Sequence, residues 1–281
     1  MFFLWNQYLK IFKYQWNIFD NWSWVVLKYL LVKRWKRDML KKIFEDKKLL
    51  IANILFFVVT FAFDICLLIT YNRYVFKTIA SVLFVICGFV NFIVVYKHEK
   101  NSKLFGWFML AGLVFACVGD ILLIESSLFI YGAISFAIGH VFFFVAYSTL
   151  YKINWKDILI SLGIFAVALV VILAIPVFEF GGMLPVVIIY ALVISFMLGK
   201  AISNFAFCKE NKIPNLIIML GSILFFLSDL MLLFNVFSNV VDPYRIFDTI
   251  CLVLYYPAEI LLATSIYYSN RKIEQSEEVK N

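Results

Sequence analysis

Apolar residues come in long runs along this chain, and short polar breaks separate them. A helix crossing a hydrocarbon core about 30 Å thick needs about 20 mostly apolar residues. Eight runs of that length occur, near 50–70, 78–96, 104–124, 128–150, 157–175, 184–204, 213–235 and 245–268. The connections are short, so the pattern predicts one all-α membrane domain over residues 49–269, a bundle of eight transmembrane helices with no separate soluble domain. A polar cytoplasmic tail is expected over 270–281.

The first 48 residues carry a different period. Trp5, Leu9, Phe12, Trp16 and Phe19 fall on one helical face, and Asn6, Lys10, Lys13, Asn17 and Asp20 on another. No small-residue cleavage site follows, so this is not a signal peptide. Aromatic rings opposite cations suit amphipathic helices lying in the headgroup layer against anionic lipid.

Composition supports the membrane reading: 64% of the 281 residues are hydrophobic and 15% are charged, which excludes an ordinary soluble domain. The distribution of Lys and Arg sets the expected orientation. With the N-terminus inside, 22 of 25 basic residues fall on cytoplasmic segments, and only Arg73, Lys77 and Arg245 fall outside. Both termini are therefore expected in the cytoplasm. The net charge of +7 is accounted for by topology and lipid headgroups, with no nucleic-acid partner implied. The expected location is the cell membrane of a bacterium, as a multi-pass protein. Five cysteines without a CxxC pair encode no disulfide framework or zinc ribbon.

Ionisable groups inside spans are costly and are functional candidates by default. Asp64 lies in FAFDICLLI, Asp120 in CVGDILLI and Asp229 in FLSDLMLLF. All three helices run outward, which puts the three carboxyls near one level in the outer part of the membrane. GLVFACVGDILL (112–123) and GSILFFLSDLML (221–232) align glycine with glycine and acid with acid, as a parallel duplication would. The helices that follow carry His140, and Tyr255, Tyr256 and Glu259 beside Pro257. Packing readings stand beside the functional ones. Asp64 can pair with Lys77 or Arg73, His140 can be a neutral core histidine, and Tyr255 and Tyr256 can be ordinary packing aromatics.

GDILL (119–123), GHVFFFVAY (139–147), PVVIIYALVISFM (185–197), LFFLSDLMLLFNVF (224–237) and YYPAEILLATS (255–265) occur in this order and spacing. Together they make the chain resemble the YhhN-like family of membrane proteins, whose characterised animal members are lysoplasmalogenases. The resemblance covers about residues 50–268. Two departures stand out: Thr78 follows Lys77 where the family often has proline, and Glu259 stands where glutamine is usual.

The resemblance implies cleavage of the vinyl ether bond of a lysoplasmalogen, giving a fatty aldehyde and a glycerophospho-base, with no cofactor or metal. That chemistry starts with proton transfer to carbon, and water then traps an oxocarbenium ion. It needs a proton donor and a nearby negative charge, which two carboxyls in an apolar pocket supply, as in glycosidases. Asp120 and Asp229 are the expected pair. His140 or Glu259 would relay a proton or hold water, and Tyr255 or Tyr256 would bond the ether oxygen. Lys77 or Arg73 would hold the phosphate of a lysophospholipid or other lipid substrate, with Asp64 and Tyr190 as further substrate-binding candidates.

Competing chemistries fit less well. His98 and His140 are too few for a three-histidine zinc site. A carboxylate site for a hard cation, built from Asp64, Asp120, Asp229 and Glu259, has no defining spacing. Ser228 adjoins Asp229, but no GxSxG elbow is present. A lipid or small-solute transporter, or a lipid-binding protein, would use the same acids as proton carriers or headgroup partners.

Overall fold

The computed structural model describes residues 47–70, 73–98, 103–208, 212–242 and 245–270. The amphipathic segment expected over 1–48 lies outside these residues except for Lys47 and Lys48, and the tail lies outside them except for Asn270. The described residues from 51 to 270 belong to one compact unit.

Among the described residues, eight helices are long and apolar enough to cross a membrane. They are α1 (Lys47–Thr70), α2 (Thr78–His98), α3 (Lys103–Leu122), α4 (Phe129–Leu150), α5 (Trp155–Ala174), α6 (Leu184–Phe207), α7 (Lys212–Phe237) and α8 (Ile246–Asn270). A π-helical turn, Arg73–Lys77, precedes α2. Local chemistry sets several of the starts. Asn154 and Asp157 form a reciprocal capping box for α5, and Pro185 occupies the first turn of α6, where a missing N–H costs nothing.

Helix contacts close a ring in the order α2, α3, α4, α6, α7, α8 and back to α2, with α3 also touching α8 and α5 packed against α6. The apolar windows of α3 and α8 are 50% buried, against 22% for α5, so the first two are central and the last faces lipid. At the end of the bundle that the charge distribution assigns to the outside, two loops pair. The Glu179 N–H donates to the Phe237 carbonyl and the Asn239 N–H to the Val177 carbonyl, each at 2.8 Å.

The repeated glycine–acid register has a packing counterpart. A Cβ on Gly112 would lie 2.5 Å from the Phe143 ring of α4, and one on Gly221 would lie 2.9 Å from Leu262 of α8. Each glycine therefore lets the next-in-line partner close on its helix, α4 on α3 and α8 on α7. Asp64, Asp120 and Asp229 each stand 17 residues beyond a lysine on the same helix, Lys47, Lys103 and Lys212. That is about 25 Å of helical rise.

Toward the opposite end, polar side chains tie α4, α5, α6 and α7 together. Lys200, one of the basic residues that the charge pattern puts on the cytoplasmic side, is fully buried on α6, with Nζ 2.7 Å from Asp157 Oδ2 and 3.2 Å from the Lys152 carbonyl. Ser203 donates to the other Asp157 oxygen, and Asn204 donates to the Tyr147 carbonyl at 3.0 Å. Ser161 meets Gly199 so closely that a Cβ there would lie 2.2 Å from its Oγ. On the other flank, Asn53 of α1 and Asn91 of α2 exchange amide hydrogen bonds of 3.1 and 2.7 Å.

Removing one member of a buried ion pair leaves the other uncompensated. Lys200→Met is expected to destabilise the bundle by about 3–5 kcal/mol. Adding Asp157→Asn to it removes the orphaned charge and keeps one acceptor oxygen, for either Ser203 or the Asn154 N–H of the α5 cap. Denaturation in detergent micelles should show at least half of the loss recovered in the double variant. A double variant less stable than Lys200→Met alone would mean that the pair is not what holds α5 to α6.

Candidate functional site

Two polar clusters face the interior at the level of the aspartates, and each belongs to one half of the glycine–acid repeat. The first gathers around Asp120, near the end of α3. Lys77 Nζ lies 3.2 Å from Asp120 Oδ1, while Ser81 and Tyr255 each donate to Oδ2 at 2.7 Å. Tyr256 donates to the Lys77 carbonyl at 3.4 Å. The cluster joins the π-helical turn, α2, α3 and α8, and the exposure of its two ionic side chains is only 9% for Lys77 and 3% for Asp120.

The second cluster surrounds Asp229 of α7. Tyr190 of α6 donates to Asp229 Oδ2 at 2.6 Å. His140 Nε2 of α4 lies 2.9 Å from the Tyr190 hydroxyl and 3.3 Å from the same carboxylate oxygen. Because Tyr190 commits its one proton to Asp229, its oxygen is an acceptor toward His140, so Nε2 carries the proton in this arrangement. Edge contacts with Tyr190 and Phe225, ring centroids 5.5 and 4.6 Å away, hold the imidazole. Among the described residues no lysine or arginine lies within ion-pair distance of Asp229.

Phe225, Phe136 and Tyr255 stand between the clusters in mutual edge-to-face contact, with centroids 5.3 to 6.2 Å apart. Asp120 and Asp229 thus share no hydrogen-bond partner, and the expected carboxyl pair is resolved into two separate networks. Glu259 interacts electrostatically with both acids. It is fully buried, and neither oxygen accepts a hydrogen bond of normal geometry among the described residues.

The remaining candidates are placed as follows. Lys77, expected at the outer face as a phosphate ligand, is turned inward and committed to Asp120. That also removes it as a partner for Asp64, which is fully buried with both oxygens unpartnered among the described residues. The side chain of Arg73 lies outside the described residues. Tyr255 and Tyr256 both donate to the Asp120–Lys77 cluster. Among the described residues no three His, Cys, Asp or Glu side chains come together as a metal site. Sequence reasoning missed Ser81 and Phe225. Ser81 follows Lys77 by four positions, one turn along the same face, which is a signal available in the chain.

The second cluster opens toward hydrocarbon. Two grooves meet at Tyr190 and Asp229. The first, of about 520 Å³, runs between α4, α6 and α7, and the second, of about 610 Å³, between α5, α6 and α7. Apart from Tyr190 and Asp229, every wall residue in both is apolar. The exposure of the Asp229 side chain is 13%. A membrane-permeant carbodiimide is therefore expected to modify Asp229 well before Asp120, as read by peptide mass spectrometry. Faster modification of Asp120 would show that its ion pair does not shield it.

No curated protein and no solved structure matches this chain. A family model, described as the YhhN family, matches residues 72–266. The match takes in both aspartates, His140, Tyr190 and Glu259, together with the aromatic wall between the two clusters; this integral membrane chain belongs to the YhhN family.

Proposed function

We propose that this protein is an intramembrane hydrolase of vinyl ether lipids, with a lysoplasmalogen as the substrate that the family suggests. The observation that carries the reading is a carboxyl, a tyrosine and a histidine hydrogen-bonded at the floor of two hydrocarbon-lined grooves. A chain lying in such a groove brings its first carbons to Asp229. There, neutral Asp229 gives its proton to the β-carbon of the vinyl ether, the C=C electrons form the new C–H bond, and an oxocarbenium ion remains beside the new carboxylate. Tyr190 and His140 stabilise that carboxylate through hydrogen bonds that strengthen as its charge develops. Water adds to the cation and returns a proton to Asp229, giving a hemiacetal. Collapse of the hemiacetal releases the aldehyde and the glycerol hydroxyl.

In this reading Asp229 serves as acid and then as base, while Asp120 acts indirectly. Its ion pair with Lys77 fixes α2 against α3, and its bond from Tyr255 holds the aromatic wall behind the reacting carboxyl. Glu259 takes no step in this cycle, because the proton that Asp229 gives to carbon is returned by the water that adds to the cation.

Purified protein in detergent, given a lysoplasmalogen, should release fatty aldehyde. Asp229→Asn is expected to lower the rate by about 10²–10⁴-fold, as for loss of a general acid. Tyr190→Phe should cost about 10²-fold, as for loss of one stabilising donor. Absence of aldehyde from folded parent protein, across choline and ethanolamine headgroups, would overturn the hydrolase reading.

A further inference from the structure

The two grooves that meet at Asp229 are not equivalent. The first is bordered by Leu123, Phe129, Met183 and Phe237, which stand at or next to the ends of α3, α4, α6 and α7. A molecule lying in it reaches the bundle end assigned to the outside, where a charged headgroup meets water. The second is set one turn further in on both shared helices. Its wall on α6 runs from Val187 to Ile194, against Met183 to Tyr190 for the first, and on α7 from Phe226 to Leu233, against Asp229 to Phe237. One turn is about 5.4 Å. Its remaining wall is α5, the helix that faces lipid.

From this we infer that the grooves divide the reaction between them. The groove between α4, α6 and α7 seats the chain of the phospholipid substrate, and the groove between α5, α6 and α7 seats the released long-chain aldehyde on its way into the membrane. The inference rests on the hydrolase reading and adds a product site to it. Chemistry makes the assignment. Burying a phosphate in an apolar groove without a partner is prohibitive, so an ionic lipid must use the groove that reaches the bundle end. An aldehyde carries no charge and a single acceptor, and a groove whose only polar groups are the Tyr190 hydroxyl and the Asp229 carboxyl matches it. Both grooves touch the same carboxyl, so a chain severed there can change grooves by passing Val187 and Leu233, the apolar residues common to both walls. The charged fragment leaves in the opposite direction, and the two products do not compete for one path.

The test reads binding, without turnover, using two probes. Hexadecanol stands in for the aldehyde. Hexadecyl glycerophosphocholine, whose saturated ether cannot react, stands in for the substrate. Ala168 lines only the second groove and Ala133 only the first, and both are half-buried, so a larger side chain at either fills a groove without overpacking a core. Ala168→Trp is expected to weaken hexadecanol binding about tenfold and to leave the lysolipid within about twofold; Ala133→Trp should weaken the lysolipid about tenfold. Ala168→Leu and Ala133→Leu should shift the same ligands in the same directions by smaller factors, with thermal unfolding midpoints confirming that all four variants fold. If Ala168→Trp leaves hexadecanol binding unchanged, or weakens both probes equally, the division is wrong even where the parent releases aldehyde. If the binding pattern holds and the parent releases no aldehyde, the hydrolase reading falls and the second chain is not a product.

Discussion

The ion pair between Lys77 and Asp120 is the contact on which the arrangement of the bundle turns. A carboxylate inside hydrocarbon is tolerated only when partnered within the protein, and its partners here come from three directions: the turn before α2, α2 itself and α8. Satisfying Asp120 therefore fixes how α2, α3 and α8 meet. It also aims Tyr255, whose ring closes against Phe84, Phe136 and Phe225. That wall is the back of the groove-facing cluster, so a charge neutralised on one side of the ring sets the geometry on the other.

Asp229 occupies the equivalent register in α7 and has no such cation. It is held by a phenol and an imidazole, groups that can pass a proton without leaving their places. The same helical device thus has two outcomes. Where a lysine is within reach, the acid sits in an ion pair; where tyrosine and histidine take its place, the acid meets the hydrocarbon of two grooves. The two helices share the glycine–acid register, and they differ in the partners that the surrounding helices bring to each acid.

The eight spans were legible because length and apolarity alone decide which segments cross a bilayer. Asp120 and Asp229 were legible for the same reason, as carboxyls inside runs that otherwise exclude charge. Their partners were not, because both acids sit in apolar runs with the same glycine–acid register, and only the order of helices around the ring gives lysine to one and tyrosine to the other. Lys77 and Lys200, which the charge pattern puts on the outer and the cytoplasmic side, each lie near the boundary of a span. Both turn inward to meet carboxylates, Asp120 and Asp157, whose positions depend on tertiary packing. Asn154 and Asp157 carried a readable capping-box spacing, but the spacing says nothing of Lys200, 43 residues further on. Tyr190 lay in a motif shared with the family, and its hydrogen bond to Asp229 across two helices left no trace in the spacing.

Protonation of carbon by Asp229 is the central claim, and hydrolysis in deuterium oxide addresses it most directly. Lysoplasmalogen would be incubated with the purified parent and with Asp229→Asn, the aldehyde trapped as it forms, and the position of the label determined by mass spectrometry. The expected result is one deuterium on the carbon next to the carbonyl in the parent's product, formed at a rate that collapses in the variant. Aldehyde lacking deuterium at that carbon, or labelled aldehyde formed equally fast by Asp229→Asn, would contradict it.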